Sequence, residues 1–269
     1  MKETLNHIDI ALNTYGSRDN PTLILIHGLL GNRTSLAPLA QQLSSRYFTV
    51  TYDCRGHGQS SKPQHYTLAD HAADLAALID RFGGQAHVFG YSMGSYIAAQ
   101  AAINTPQKIR RLILAVTKPK DDGNGSSIAR LLQAHGLTPK TATETQIQAV
   151  LQAALWSPHT SQARRDALNA EADRRGREAR IPILTASQRH SVNQALVGFD
   201  LSGKLPDIQA PTLVIAGKYD GINPPETVRT VADLIPRSRF ELFEHSGHLI
   251  HREEPEKLLQ TVETFLTES

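Results

Sequence analysis

The chain has 269 residues, 40% of them hydrophobic and 20% charged, with 28 basic side chains against 26 acidic ones. That length buries the core of one large α/β domain, and a net charge of +2 without a Lys/Arg run leaves no footprint for nucleic acid. A lone cysteine, Cys54, excludes an intrachain disulfide, while Met1–His7 lacks a signal-type apolar core and no run reaches membrane-spanning length, so a cytoplasmic protein is expected.

Along the chain, apolar runs of strand length alternate with helical patterns. An amphipathic stretch including Thr4–Leu12 is expected to add an antiparallel edge strand. Thr22–Ile26 and Phe48–Tyr52 read as buried strands, with a helical face of Leu36, Leu39, Ala40 and Leu43 between them. Thr67 and Asp70 have the spacing of a capping box and open a helix carrying Leu68, Ala72, Leu75, Leu78 and Ile79. His87–Phe89, Leu112–Val116, Thr212–Ala216 and Phe240–Phe243 complete the strands. A last helix presents Leu258, Leu259, Val262, Phe265 and Leu266, with Pro255 near its first turn. Such alternation predicts an α/β fold, a mostly parallel twisted sheet with helices on both faces.

From Lys118 to Leu205 the alternation stops. Helical patterns run through Ile128–Leu132, Ile147–Leu155, Ala163–Arg180 and Ser191–Val197, with no strong strand. The expected layout is a core of residues 1–117 and 206–269 with a helical cap, 118–205, inserted between two core strands. Ligands of open α/β sheets bind outside the carboxyl ends of the strands, so this cap would roof the site.

Gly90-Tyr91-Ser92-Met93-Gly94 falls between the strand ending at Phe89 and a helical stretch from Ser95 to Ala102. A G-x-S-x-G at a strand-to-helix turn holds its serine in a strained conformation at the helix start, where the N–H of Met93 faces any charge forming at the Ser92 oxygen. A serine hydroxyl needs a histidine base oriented by a carboxylate. Asp220 follows the strand Thr212–Ala216, and His248 follows Phe240–Phe243, so all three emerge at one rim of the sheet in the order Ser, Asp, His. The loop His27-Gly28-Leu29-Leu30-Gly31 offers the N–H of Leu29 as a second oxyanion donor.

With His27-Gly28 and Gly31, Asp53–Ser60, the Ser92 turn, Ala216–Asp220 and Gly247-His248 in register, the chain resembles the α/β-hydrolase fold superfamily, specifically small bacterial serine esterases and lactonases with a helical cap. The likeness covers the core and weakens across the cap; Ser95 stands where many relatives have a third glycine. It implies a Ser92–His248–Asp220 triad, an oxyanion hole of Leu29 and Met93, no cofactor and no metal. Within Asp53–Ser60, Asp53 and Arg55 tie the loop, His57 is a loop residue rather than a second base, and His27 braces its own loop.

The same sequence admits other assignments. His245, His248 and His251 have an H-x-x-H-x-x-H spacing, but Ser246-Gly247 breaks the helix that a zinc pair needs. Asp121 and Asp122 lie several residues past a strand end, Glu244 precedes the His248 turn, and Cys54 has no base in its motif. Arg164, Arg165, Arg174, Arg175, Arg177, Arg180 and Arg189 face only four acids, which reads first as a solvated helix face and second as a carboxylate-steering patch. Trp156 is expected to pack the cap or wall an acyl pocket. The expected reaction is hydrolysis of a small carboxylic ester or lactone; an enol-lactone is attractive because it carries a carboxylate. C–C bond hydrolysis of ring-cleavage products, cofactor-free perhydrolase or haloperoxidase-type chemistry and a non-catalytic ligand receptor are the alternatives. Ser92 argues against haloalkane dehalogenases and epoxide hydrolases, which the resemblance would give an aspartate there. Met93 and the basic cap argue against proline iminopeptidases.

Overall fold

The computed structural model describes residues 1–121, 126–138 and 140–268. Its centre is an eight-stranded sheet in the order β1-β2-β4-β3-β5-β6-β7-β8. The strands are β1 (Lys2–Leu5), β2 (Ile8–Tyr15), β3 (Thr22–Ile26), β4 (Phe48–Tyr52), β5 (Ala86–Tyr91), β6 (Ile109–Ala115), β7 (Thr212–Gly217) and β8 (Ser238–Phe243). From β4 to β8 every pairing is parallel, and only β2 on β4 and β1 on β2 are antiparallel. The edge expected as one strand is a hairpin. Asn6 and His7 both take positive φ, 48° and 63°, the two-residue turn whose twist lets flanking strands pair.

Successive residues of a strand face opposite sides, and here both sides are buried. Ile24, Val88 and Leu112 face one core with α2 (Leu68–Arg81) and α3 (Met93–Asn104), whereas Leu25, Phe89 and Ile113 face a second with α1 (Ala37–Leu43) and α10 (Pro255–Thr267). The Thr67–Asp70 capping box opens α2 as expected. A helix not read from the sequence, α8 (Pro225–Leu234), buries Val228, Val231 and Ala232 between β7 and β8.

Between β6 and β7 lie α4 (Ser126–Ala134), α5 (Glu144–Leu155), α6 (Gln162–Glu178) and α7 (Ala186–Gln194). The α7 helix starts five residues before the expected apolar pattern because Thr185 and Gln188 form a capping box at its true start. The chain runs outward from β3 to β4, then returns across β3 to β5. The sheet therefore changes direction between β3 and β5, where an open α/β sheet leaves a crevice at its carboxyl edge.

Candidate active site

Two loops leave the sheet at that switch point. Ser92 caps α3 with φ 51° and ψ −119°, a conformation that L side chains rarely hold. Close packing imposes it: a Cβ on Gly90 would run into the Gly94 carbonyl, and one on Gly94 into the carbonyl of Ile26. Strand β5 can thus turn into α3 only where both flanking residues are glycine. Ser95, in place of a third glycine, donates from its hydroxyl to the Ser92 carbonyl at 2.6 Å and reinforces the turn.

Beside Ser92, the loop after β3 makes the other wall. A Cβ on Gly28 would sit 3.3 Å from the Ser92 Cβ. The Gly28 carbonyl accepts from His27 Nδ1 at 2.7 Å and from the Gly31 N–H at 3.0 Å. The Leu29 N–H of the same trans peptide therefore points the opposite way. His27 Nε2 accepts from the Cys54 N–H at 3.1 Å, so this imidazole braces two loops as the sequence predicts. Met93 contributes the first N–H of α3.

Asp220 and His248 come from the loops after β7 and β8. His248 Nδ1 lies 2.8 Å from Asp220 Oδ2, and its Nε2 lies 3.1 Å from Ser92 Oγ. Asp220 Oδ1 accepts from the N–H groups of Ile222 and Asn223 at 2.8 and 2.9 Å. All three groups are buried, with Ser92 9% exposed. A carboxylate can only accept, so it holds the imidazole proton on Nδ1 and leaves Nε2 free to accept the serine proton. The arrangement can activate a hydroxyl for attack on a carbonyl.

Residues that the sequence did not single out hold this group together. Asn223 donates from its amide to the Tyr96 hydroxyl at 2.9 Å and to the Val116 carbonyl at 2.6 Å, tying the Asp220 loop to α3 and β6. Glu253, in α9 (Ile250–Glu253), accepts from the Gly247 N–H at 2.7 Å, the Ser157 N–H at 2.9 Å and the Thr160 hydroxyl at 2.6 Å. It links the insertion to the residue preceding His248. The end of α5 docks on the same loops, Ala154 and Leu155 accepting from the N–H groups of Gly221 and His248, both at 2.9 Å. A Tyr91 hydroxyl bond to the His248 carbonyl closes the arrangement from β5.

A family model for the alpha/beta hydrolase fold matches residues 21–255, nearly the whole described core and the insertion. The chain belongs to that family. Among alpha/beta hydrolases it is 30% identical to a 3-oxoadipate enol-lactonase of Acinetobacter baylyi, over 98% of this chain and 96% of that one. It is 26% identical to a proline iminopeptidase of Pestalotiopsis fici, over 97% of each chain. A thermophilic esterase from Thermogutta terrifontis superposes with a TM-score of 0.77 at 26% identity, covering 99% of this chain and 97% of that one.

Several residues weighed as rivals sit elsewhere in this alpha/beta hydrolase. Asp121 binds the Phe199 carbonyl through its N–H and the Gly198 N–H through its carboxylate, and Asp122 lies outside the described residues. Glu244 pairs with Lys218 at 2.7 Å. The three histidines take separate partners, with His245 against His159, His251 edge-on to Tyr91 at 4.5 Å, and His248 at Ser92. Trp156 is buried at the end of α5, 2% exposed, and donates to Gln152 Oε1 at 3.1 Å. Burial pushes the Cys54 thiol well above its usual range, which leaves it unreactive.

The Asp53–Ser60 loop is a structural knot. Asp53 accepts from the Arg33 guanidinium at 2.5 Å and from the N–H groups of Arg33 and Gln59, while Arg55 grips Asp74 with two bonds of 2.6 and 2.5 Å. Inside it, His57 and His27 meet at 5.0 Å between ring centroids. Burial lowers the His57 pKa to about 3, and also lowers His27 and His71. An unfolded histidine titrates near 6.5. Below that pH the unfolded chain binds protons that the folded chain refuses. For His57 this stability is complete above about pH 6.5 and declines as the pH falls toward 3, by about 1.4 kcal/mol per pH unit, and His27 and His71 act in the same direction. Urea denaturation between pH 6 and 4 is expected to show this slope, and His57→Gln to reduce it by about one histidine's share.

Proposed function

We propose that the protein is a serine hydrolase cleaving a small carboxylic ester or lactone through an acyl-enzyme. The observation that carries this is the position of His248 between Asp220 and Ser92, at 2.8 and 3.1 Å. His248 takes the Ser92 proton as Oγ attacks the substrate carbonyl. The oxyanion then accepts from the N–H groups of Leu29 and Met93. Collapse breaks the ester bond, and His248 returns the proton to the departing alkoxide. A water deprotonated by His248 attacks the acyl-enzyme, and its proton passes back to Ser92 as the acid leaves. Asp220 keeps His248 in the required tautomer throughout, and no cofactor enters these steps. Residues 118–205 act as the cap in this reading. In this reading Trp156 walls the acyl pocket, supported by the contact of its backbone with Gly247, the residue before His248.

The enol-lactonase and esterase relatives support a carbonyl–oxygen bond as the target. The iminopeptidase relative raises peptide hydrolysis as the rival, against which the excess of arginine over acid across residues 164–189 weighs, since net positive charge disfavours a cationic amino terminus. A fluorophosphonate probe tests the reading directly. One adduct per chain, mapped to Ser92 by mass spectrometry and blocked by a competing ester, is the expected result. A folded protein that the probe leaves unlabelled would overturn it and favour a ligand receptor.

A further inference from the structure

A crevice of about 170 Å³ lies where α6 overhangs the core. Its lining includes Ser35 and Leu36 from the loop after β3, Glu171 and Arg175 from α6, and His251 and Arg252 from α9. Ser35 and His251 place it beside the candidate active site. Ser35 lies in the turn that follows Gly28–Gly31 and accepts from the Asn32 N–H at 3.1 Å. His251 packs edge-on against Tyr91 at 4.5 Å, and the same Tyr91 ring lies 5.9 Å from His248.

Three lining residues carry buried nitrogens without a hydrogen-bond partner among the described residues: Arg175 Nε, His251 Nδ1 and Arg252 Nε. A buried donor left unmatched is costly, and it is costlier on a charged group. Among the described residues, one outer nitrogen of each guanidinium is bonded, Arg175 Nη1 to Glu171 at 2.9 Å and Arg252 Nη1 to Asn169 at 3.0 Å. Glu171 is shared with Arg174 and so does not neutralise both cations. Burial lowers the Arg252 guanidinium, and the like charge of Arg175 adds to this while Tyr91 and Asp173 oppose it. Two facing cations with unused N–H groups, walled by Leu36 and Leu168, suit a ligand with an apolar stem and an anionic, acceptor-only end.

We propose that this crevice is a subsite for a small oxyanion, namely the carboxylate of a substrate whose reacting carbonyl lies at Ser92. The placement of the carbonyl rests on the serine-hydrolase reading, whereas the oxyanion subsite does not. Of the eight arginines in residues 118–205, Arg164 and Arg175 line the crevice, Arg175 carries the unmatched buried nitrogen, and Arg252 joins it from outside the insertion.

Binding and turnover test the two parts separately. Succinate, succinamide and inorganic phosphate are titrated calorimetrically into the wild-type protein, Ser92→Ala and Arg175→Gln/Arg252→Gln. Succinate is expected to bind the first two alike and the double variant about tenfold or more weakly, with succinamide failing to bind. Equal succinate affinity in all three proteins, or tighter binding of phosphate than of succinate, overturns the proposal. In turnover, the kcat/KM preference for the mono-nitrophenyl ester of glutaric acid over nitrophenyl pentanoate is expected to fall about tenfold in the double variant. An unchanged preference, or an equal loss on both esters, also overturns it. Succinate binding without turnover of either ester would sink the hydrolase reading and leave the oxyanion subsite standing. If the double variant does not fold, Arg175→Gln alone carries both readouts, because its Glu171 bond is a partly exposed pair on one helix.

Discussion

Ser92→Ala is expected to lower kcat/KM for a short nitrophenyl ester by about 10⁴- to 10⁶-fold while the protein stays folded. In the proposed mechanism the loss is large because the hydroxyl oxygen is the atom that bonds to the substrate carbon, and nothing else on the β5–α3 turn can replace it. The fold survives because the serine side chain bonds only toward His248, while its carbonyl remains held by the N–H and hydroxyl of Ser95. Alanine inherits the backbone strain of φ 51° and ψ −119°, whereas glycine does not. Ser92→Gly should therefore be equally inactive yet about 1 kcal/mol more stable than Ser92→Ala in urea denaturation. Undiminished ester hydrolysis by folded Ser92→Ala would remove Ser92 from the mechanism altogether.

The turn was legible in the sequence because two periodicities meet there. A strand pattern ends at Phe89, a helical one begins at Ser95, and the residues between are those that backbone crowding permits. Asp220 and His248 were legible for a related reason, since each follows a strong apolar strand and parallel strands end on one rim. Glu253, Asn223 and Arg33 were not. Asn223 and Arg33 are polar residues in loops and Glu253 ends the one-turn helix α9, and the role of each depends on through-space partners: Tyr96 and Val116, Asp53, or Ser157 and Gly247. No period in the chain encodes such pairings. The Asn6–His7 hairpin turn escaped because neither residue is glycine, although asparagine tolerates positive φ. The arginines of α6 were legible as an excess of charge. Which of them turns toward the core depends on the docking of α6 over α9, a tertiary contact.

Asp220→Asn is expected to cost about 10⁴-fold in kcat at neutral pH, although the substitution is nearly isosteric. The hydrogen bonds around the carboxylate determine why. Oδ1 accepts from the N–H groups of Ile222 and Asn223, and Oδ2 faces His248 Nδ1. An asparagine amide has one accepting oxygen and one donating nitrogen. If its oxygen faced His248, its NH₂ group would face two backbone donors, leaving both unmatched at about 1–3 kcal/mol each. The oxygen therefore takes the Oδ1 position and the NH₂ group points at His248. Nδ1 must then accept, which moves the imidazole proton to Nε2, facing the Ser92 hydroxyl. A histidine in that tautomer cannot take the serine proton, and it also loses the carboxylate that stabilises its charged form. Proton NMR should show the downfield Nδ1–H resonance of the wild-type protein vanish in the variant, with its melting temperature little changed. Near wild-type kcat in folded Asp220→Asn would mean that a different carboxylate orients His248. Glu244 and Asp121 are the nearest rivals in sequence, and both are committed elsewhere, to Lys218 and to Gly198.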